Sequence, residues 1–169
     1  VMEPVIGKLA SEKLQIELVK LEEELSHPKE TWLKSHFDFV GRENGKTILV
    51  EAKNYHFNAR SKFDKETGTI PSPDFYQCVH EATVYGVDKV YLAVLFGGQE
   101  FHTFRIDVTE QMKDELIQKM AVFWGYVKAQ TLPEAETIEQ TKLVYPVGTQ
   151  GAITATNQLE MAVTHLKDL

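Results

Sequence analysis

FDFVGRENGKTILVEAK, residues 37–53, places two strand-like runs on either side of Asn44-Gly45, the strongest short-range signal for a hairpin. A two-residue turn there pairs Glu43 with Lys46, Val40 with Leu49 and Asp38 with Glu51. Side chains alternate with period two, so Lys53 shares the face of Glu51 and pairs near His36, while Ala52 points the other way with Phe37, Phe39 and Val50. One face is then apolar, and the other carries two carboxylates and an ammonium. Directly opposed residues have Cβ atoms about 4.5 to 5.5 Å apart, and like charges at that range destabilise a sheet. A compensating cation is expected between Asp38 and Glu51. An all-oxygen donor set suits a hard ion such as Mg²⁺ or Mn²⁺, which can activate a water and steady charge on a phosphorus centre. Lys53 would position or deprotonate that water, or hold a pentacoordinate phosphate. A surface hairpin whose Glu51 and Lys53 are only solvated fits the spacing equally well.

Outward from the hairpin, residues 33–41 and 47–53 are the expected strands. Residues 4–25 carry Val5, Leu9, Leu14, Leu18, Leu21 and Leu25 on one stripe, which predicts an amphipathic helix with a break near Gly7. Residues 54–72 are polar, aromatic and basic without a period, and predict a loop or ill-ordered lid. A helix follows from Ser72-Pro73-Asp74 to a stop at Gly86. KVYLAVLF and EFHTFRID form a second hairpin through Gly97-Gly98. Its second strand alternates, with His102, Phe104 and Ile106 on one face. Thr109 caps a long helix that ends before Pro133. The expected architecture is α/β, a mixed central β-sheet flanked by helices. The domain reading is a core over 1–133, a linker over 134–150 and a C-terminal helix over 151–169. The uncapped helix-like ends, Val1 and Leu169, suggest a fragment of a longer chain.

With 169 residues the chain supports one domain with a core, and its single cysteine, Cys78, excludes an internal disulfide framework or a thiolate zinc knuckle. That fits a reducing, cytoplasmic setting. No apolar run approaches the roughly 18 to 20 residues that span a bilayer, so no membrane role is expected. A net charge of −7 excludes a uniformly basic nucleic-acid binder and leaves only local basic clusters. Arg60, Lys62 and Lys65 form one in the long loop, interleaved with Tyr55, His56, Phe57 and Phe63. They would meet a DNA backbone with aromatics stacking on an end, or be a solvated loop anchored by its aromatics. No Gly-Lys-Ser/Thr phosphate loop occurs, so ATP is not implied. Phe123, Trp124 and Tyr126 read as core or subunit contacts.

A hairpin with Asp38, then Glu51-Ala52-Lys53, then a helix with Gln77 resembles the PD-(D/E)XK nuclease core, the restriction-endonuclease-like fold. MEPVI at 2–6, HPKETWLKSHFDFVG at 27–41, VEAK at 50–53 and YQCVHEATVYGVDKVYLAVLFGGQEFHTFRI at 76–106 resemble, in order and spacing, the YqaJ-like viral recombinase nucleases of lambda-exonuclease type. The resemblance implies that Asp38, Glu51 and the Ala52 carbonyl ligate one or two Mg²⁺ or Mn²⁺ ions and that Lys53 assists the nucleophilic water. It implies that Glu3 supports the metal cluster; without the family, Glu3 is a favourable charge at a helix N-terminus. It places Gln77 near water or phosphate, where a solvent-facing helix residue is the alternative. His80 fits the family pattern near DNA, and equally a structural histidine. The implied activity is a metal-dependent exonuclease on double-stranded DNA ends, 5′ to 3′, in phage-type recombination. Its implied partners are a single-strand annealing protein and further copies forming a ring, in the host cytoplasm if phage-encoded. The alternatives are a structure-specific or restriction-like endonuclease of the same core, or an inactive DNA-binding or assembly module.

Overall fold

The computed structural model describes residues 2–135 and 137–144. Expectations for 151–169, including the apolar stripe from Ile153 to Leu166, lie outside them.

The hairpin forms as the turn residues require. Asn44 and Gly45 both take positive φ, 51° and 80°, the conformation of a two-residue turn that matches strand twist. Strands β4 (Phe39–Glu43) and β5 (Lys46–Tyr55) pair antiparallel, with Glu43 opposite Lys46, Val40 opposite Leu49 and Phe39 opposite Val50. The second hairpin, β6 (Lys89–Phe96) and β7 (Glu100–Asp107), turns through Gly97 and Gly98, both also at positive φ. β5 and β6 pair in parallel, and helix α2 (Ser72–Tyr85) lies in the connection between them. Parallel neighbours need such a crossover. α2 stops at Gly86, whose φ of 81° suits a left-handed cap. Ahead of the sheet stands helix α1 (Glu3–Leu14), and strand β1 (Leu18–Lys20) adds to β4, giving the order β1-β4-β5-β6-β7. The expected mixed sheet flanked by helices is the fold observed.

Both faces of the sheet are apolar and covered, which corrects the one-sided expectation. Phe39, Ile48, Val50, Tyr91, Ala93 and Leu95 bury against Ile6 and Ala10 of α1. Leu49, Leu92, Val94 and Phe104 bury against Cys78, Val79 and Ala82 of α2. The near-continuous apolar run of β6 follows from this double burial. Glu51 and Lys53 therefore lie beneath α2 rather than on an open surface.

Several elements differ from the sequence reading. The helix expected over 4–25 ends at Leu14, where Gln15 takes φ 56°. Residues 18–20 pair with β4 and 25–26 form strand β2, paired with β3 (Lys34–Ser35). The edge of β4 offers this segment a hydrogen-bonding ladder that leucine spacing cannot report. Gly7 does not break α1; a Cβ there would lie 2.3 Å from Phe39 Cζ, so its role is close approach to the sheet. The strand expected over 33–41 is interrupted by a bend at Asp38. The bend turns Phe37 to the α2 face, edge-on to Tyr85 at 5.3 Å, not to the face of Phe39 and Val50. Part of the expected loop is ordered locally: β5 runs to Tyr55 and a 3₁₀ segment covers Phe57–Lys62.

The chain divides into two compact units, one reaching Val122 and one starting at Phe123. α3 (Glu110–Ala129) crosses that boundary, with Thr109 Oγ1 accepting from the Met112 N–H at 3.2 Å as the expected cap. Within 134–150, read as a linker, α4 occupies Ile138–Val144.

Candidate active site

The site grows from the place where one strand outlasts its neighbour. β5 continues past Val50 while β4 begins only at Phe39, so the main chain at Ala52 has no ladder partner on the β4 side. The bend supplies a substitute: Asp38 Oδ2 accepts from the Ala52 N–H at 2.8 Å. An extended residue sends its N–H and C=O to the same edge, so the Ala52 carbonyl leaves beside Asp38. The bend is itself held by β1's continuation, where the Leu21 N–H donates to the Asp38 carbonyl at 3.2 Å.

Alternation along β5 then puts Glu51 and Lys53 under α2. Lys53 Nζ donates to Glu51 Oε1 at 2.7 Å and to Gln77 Oε1 at 2.7 Å. Gln77 Nε2 donates to the same Glu51 oxygen at 2.6 Å and to Glu81 Oε1 at 2.9 Å. Gln77 and Glu81 are four residues apart and share one helix face. Glu51 is 5 % exposed and Glu81 2 %. Beyond Lys53, the Tyr55 hydroxyl donates to buried Asp74 at 2.6 Å, tying the end of β5 to the start of α2.

Asp38 and Glu81 thus both crowd Glu51, whose ion pair is with the Lys53 ammonium. Burial and the nearby Glu51 carboxyl push Asp38 up to about 6, against the smaller opposing effect of the Ala52 N–H, and Glu3 adds to the rise. Burial first, then the Glu51 charge, raises Glu81 well above the usual carboxylate range. Burial alone would lower Lys53. The Glu51 hydrogen bond and charge, with Asp74 and Glu81, more than offset it and hold the group above its ordinary value. In this arrangement the Lys53 ammonium donates to Glu51 and to Gln77.

The donor set is all oxygen and short of positive charge, which is the chemistry a hard divalent ion satisfies. Among the described residues no three His, Cys, Asp or Glu side chains form a ready cage. The set that fits is two carboxylates, Asp38 and Glu51, with the Ala52 carbonyl, leaving the remaining positions to water as Mg²⁺ prefers.

The structure gathers Asp38, Glu51, Ala52, Lys53 and Gln77 in one place. Glu3 stands at its margin in an ion pair with Lys20, 3.1 Å. Arg60 lies elsewhere, its Nε donating to Glu100 Oε1 at 2.8 Å and its Nη1 to the Phe63 carbonyl at 3.0 Å. Lys62 and Lys65 are exposed, on a segment pinned by buried Phe63 against Tyr55, Phe96 and Phe104. His80 Nε2 donates to the Lys34 carbonyl at 2.9 Å, joining α2 to β3. Tyr76 is 53 % exposed. Glu81 shares the helix face of Gln77 four residues on, a spacing legible in the sequence, whereas sequence reasoning missed Lys20 because the helix expected over 4–25 covers it.

No protein-family model and no curated protein matches this sequence. Among solved structures, the alkaline exonuclease LHK-Exo from Laribacter hongkongensis superposes with a TM-score of 0.61 at 12 % identity, over 76 % of this chain and 66 % of that one. LHK-Exo in complex with dAMP gives 0.58 at 16 % identity, over 86 % and 70 %. In the first of these alignments the chain spans just under two thirds of the exonuclease's length. The shared feature is the fold, a five-stranded mixed sheet flanked by helices.

Proposed function

We propose that this chain, which has the fold of the PD-(D/E)XK nucleases, is a metal-dependent nuclease that hydrolyses phosphodiester bonds of DNA, acting as an exonuclease on double-stranded ends. The observation that carries the reading is the hydrogen-bonded set Glu51, Lys53 and Gln77 beside an Asp38 clamped to the Ala52 amide. A solvated surface hairpin would not bury Glu51 to 5 % exposure beneath a helix that supplies its partner.

Asp38, Glu51 and the Ala52 carbonyl hold the divalent ion, Mg²⁺ or Mn²⁺, one or two per site, with Glu3 in support. A bound ion supplies an activated water and offsets charge on the scissile phosphate. The Lys53 ammonium donates to a phosphate oxygen or to the incoming water, a stabilisation worth most in a partly desolvated site. Gln77 Oε1 keeps the ammonium aimed. Lys62 and Lys65 present positive charge to the DNA backbone, and Arg60 and His80 brace the segments around it. The 5′-to-3′ direction, a single-strand annealing partner, assembly as a ring and a cytoplasmic, phage-type recombination setting complete the proposal by resemblance.

The test uses end-labelled linear duplex, with and without a 5′ phosphate, against a covalently closed circle, in Mg²⁺ and in EDTA. Mg²⁺-dependent release of nucleotides from the linear substrate alone is expected. Cleavage of the circle would replace the exonuclease with an endonuclease of the same core. Asp38→Ala, Glu51→Ala and Lys53→Ala should each lower cleavage by about 100-fold or more with the fold intact by circular dichroism. Full activity in the Asp38 and Glu51 variants would overturn the assignment.

A further inference from the structure

We propose that Glu81 is a positioning residue that fixes the orientation of the Gln77 amide and, through it, of Lys53. The inference rests on the nuclease reading for its catalytic consequence and on hydrogen-bond geometry alone for its structural one. A glutamine amide presents two different ends, an acceptor oxygen and a donor nitrogen. Here the oxygen must face Lys53, an ammonium that can only donate, and the nitrogen must face Glu51. Glu51 alone does not enforce this, because its Oε1 is already shared between Lys53 and Gln77.

Glu81 supplies a second acceptor for Gln77 Nε2, at 2.9 Å, from a residue 2 % exposed on the same helix. Both N–H groups of the amide then have acceptors, and the reversed amide would set its oxygen against two carboxyl groups while turning N–H groups toward an ammonium. The observed arrangement gives every group a partner, whereas the reversed one leaves the Lys53 ammonium facing N–H groups to which it cannot donate. Glu81 makes no hydrogen bond to Lys53 or to the Ala52 amide; its charge also acts on Glu51 and Lys53, but the hydrogen bonds that link it to the ammonium run through Gln77. Outer-shell partners of this kind typically change activity or metal affinity about 10- to 100-fold when removed.

The experiment compares wild type, Glu81→Gln and Glu81→Leu. In metal-free, ¹⁵N-labelled protein, the Gln77 side-chain NH₂ signals, identified by their loss in Gln77→Ala, should be protected from solvent exchange. Protection should persist in Glu81→Gln, which keeps an oxygen at the same place, and fall at least about tenfold in Glu81→Leu. In cleavage assays Glu81→Leu should lower kcat about tenfold or more with KM unchanged, and Glu81→Gln should recover most of that loss. Added to Gln77→Ala, the leucine substitution should cost clearly less than it does in the wild type, since the part of its effect that passes through the amide is already gone.

Unprotected Gln77 signals in the wild type, unchanged signals in Glu81→Leu, or a full additional loss in the Gln77→Ala background would each overturn the proposal. If leucine prevents folding, Glu81→Met replaces it, the thermal melt deciding which is used. Should the wild type cleave no DNA, the nuclease reading falls while the metal-free amide signals still decide the role of Glu81.

Discussion

Asp38 accepts a main-chain N–H through one oxygen and sits within reach of a second carboxyl, so without a divalent ion it is held against its electrostatic preference. Its carboxyl is raised from 3.8 to about 6, chiefly by burial and then by Glu51. The folded protein therefore binds this proton more tightly than the unfolded chain, and metal-free stability falls as pH rises through that window. Asp38→Asn keeps an acceptor for the Ala52 N–H and removes the charge. In EDTA at pH 8 it should be more stable than wild type by about 1 kcal/mol, the shift being discounted for partial exposure. The advantage should vanish below about pH 3, where the wild-type group is protonated in both states. Chemical denaturation across about pH 3 to 8 checks this, and an advantage that is flat with pH would contradict the assigned cause. The same variant should lose Mg²⁺-dependent cleavage, a trade of stability for function familiar at strained sites.

At the scale of elements, two contacts set the geometry. α1 lies so close to the sheet that a Cβ on Gly7 would meet the Phe39 ring, itself buried at 7 % exposure. Gly7→Val should cost about 1 to 3 kcal/mol in urea denaturation, through overpacking, and should displace Glu3 from Lys20 and the margin of the site. An unshifted denaturation midpoint would mean that α1 adjusts freely. The 57–70 segment hangs on Phe63, whose ring centroid is 5.0 Å from Phe96 and 5.5 Å from Phe104. Phe63→Ala should cost about 3 to 5 kcal/mol and open Arg60 to Ile70 to limited proteolysis. Digestion at the wild-type rate would show that the Arg60 to Glu100 ion pair alone holds the segment. α2 carries the most: it closes the core through Val79 and Ala82 and presents Gln77 and Glu81 to Glu51.

For the molecule as a whole, an ion that binds only the folded state raises stability by mass action, about 2.7 kcal/mol at a concentration 100 times Kd. Mg²⁺ or Mn²⁺ should therefore raise the Tm of the wild type in proportion to the logarithm of concentration. The double variant Asp38→Asn, Glu51→Gln should not respond, and an equal rise in both would place the ion elsewhere. With a net charge of −7, the DNA contact proposed above would depend on local clusters such as Lys62 and Lys65. The amino-acid sequence by itself determined the features set by neighbours along the chain. Asn44-Gly45 allows one turn and hence one register, Gly86 ends α2, and Gly97-Gly98 turns the second hairpin. That register put Asp38 and Glu51 together before any coordinates. Only the tertiary structure decided what depends on distant partners. Residues 18–20 are strand because β4 has an open edge, although their leucine spacing suits a helix. Phe37 changes face because the chain bends to place Asp38 on the Ala52 amide. Glu81 joins Glu51 because a crossover helix packs on the parallel strands. Periodicity reports which face of an element is apolar, whereas pairing edges, bends and buried charge are fixed by groups far away in the sequence.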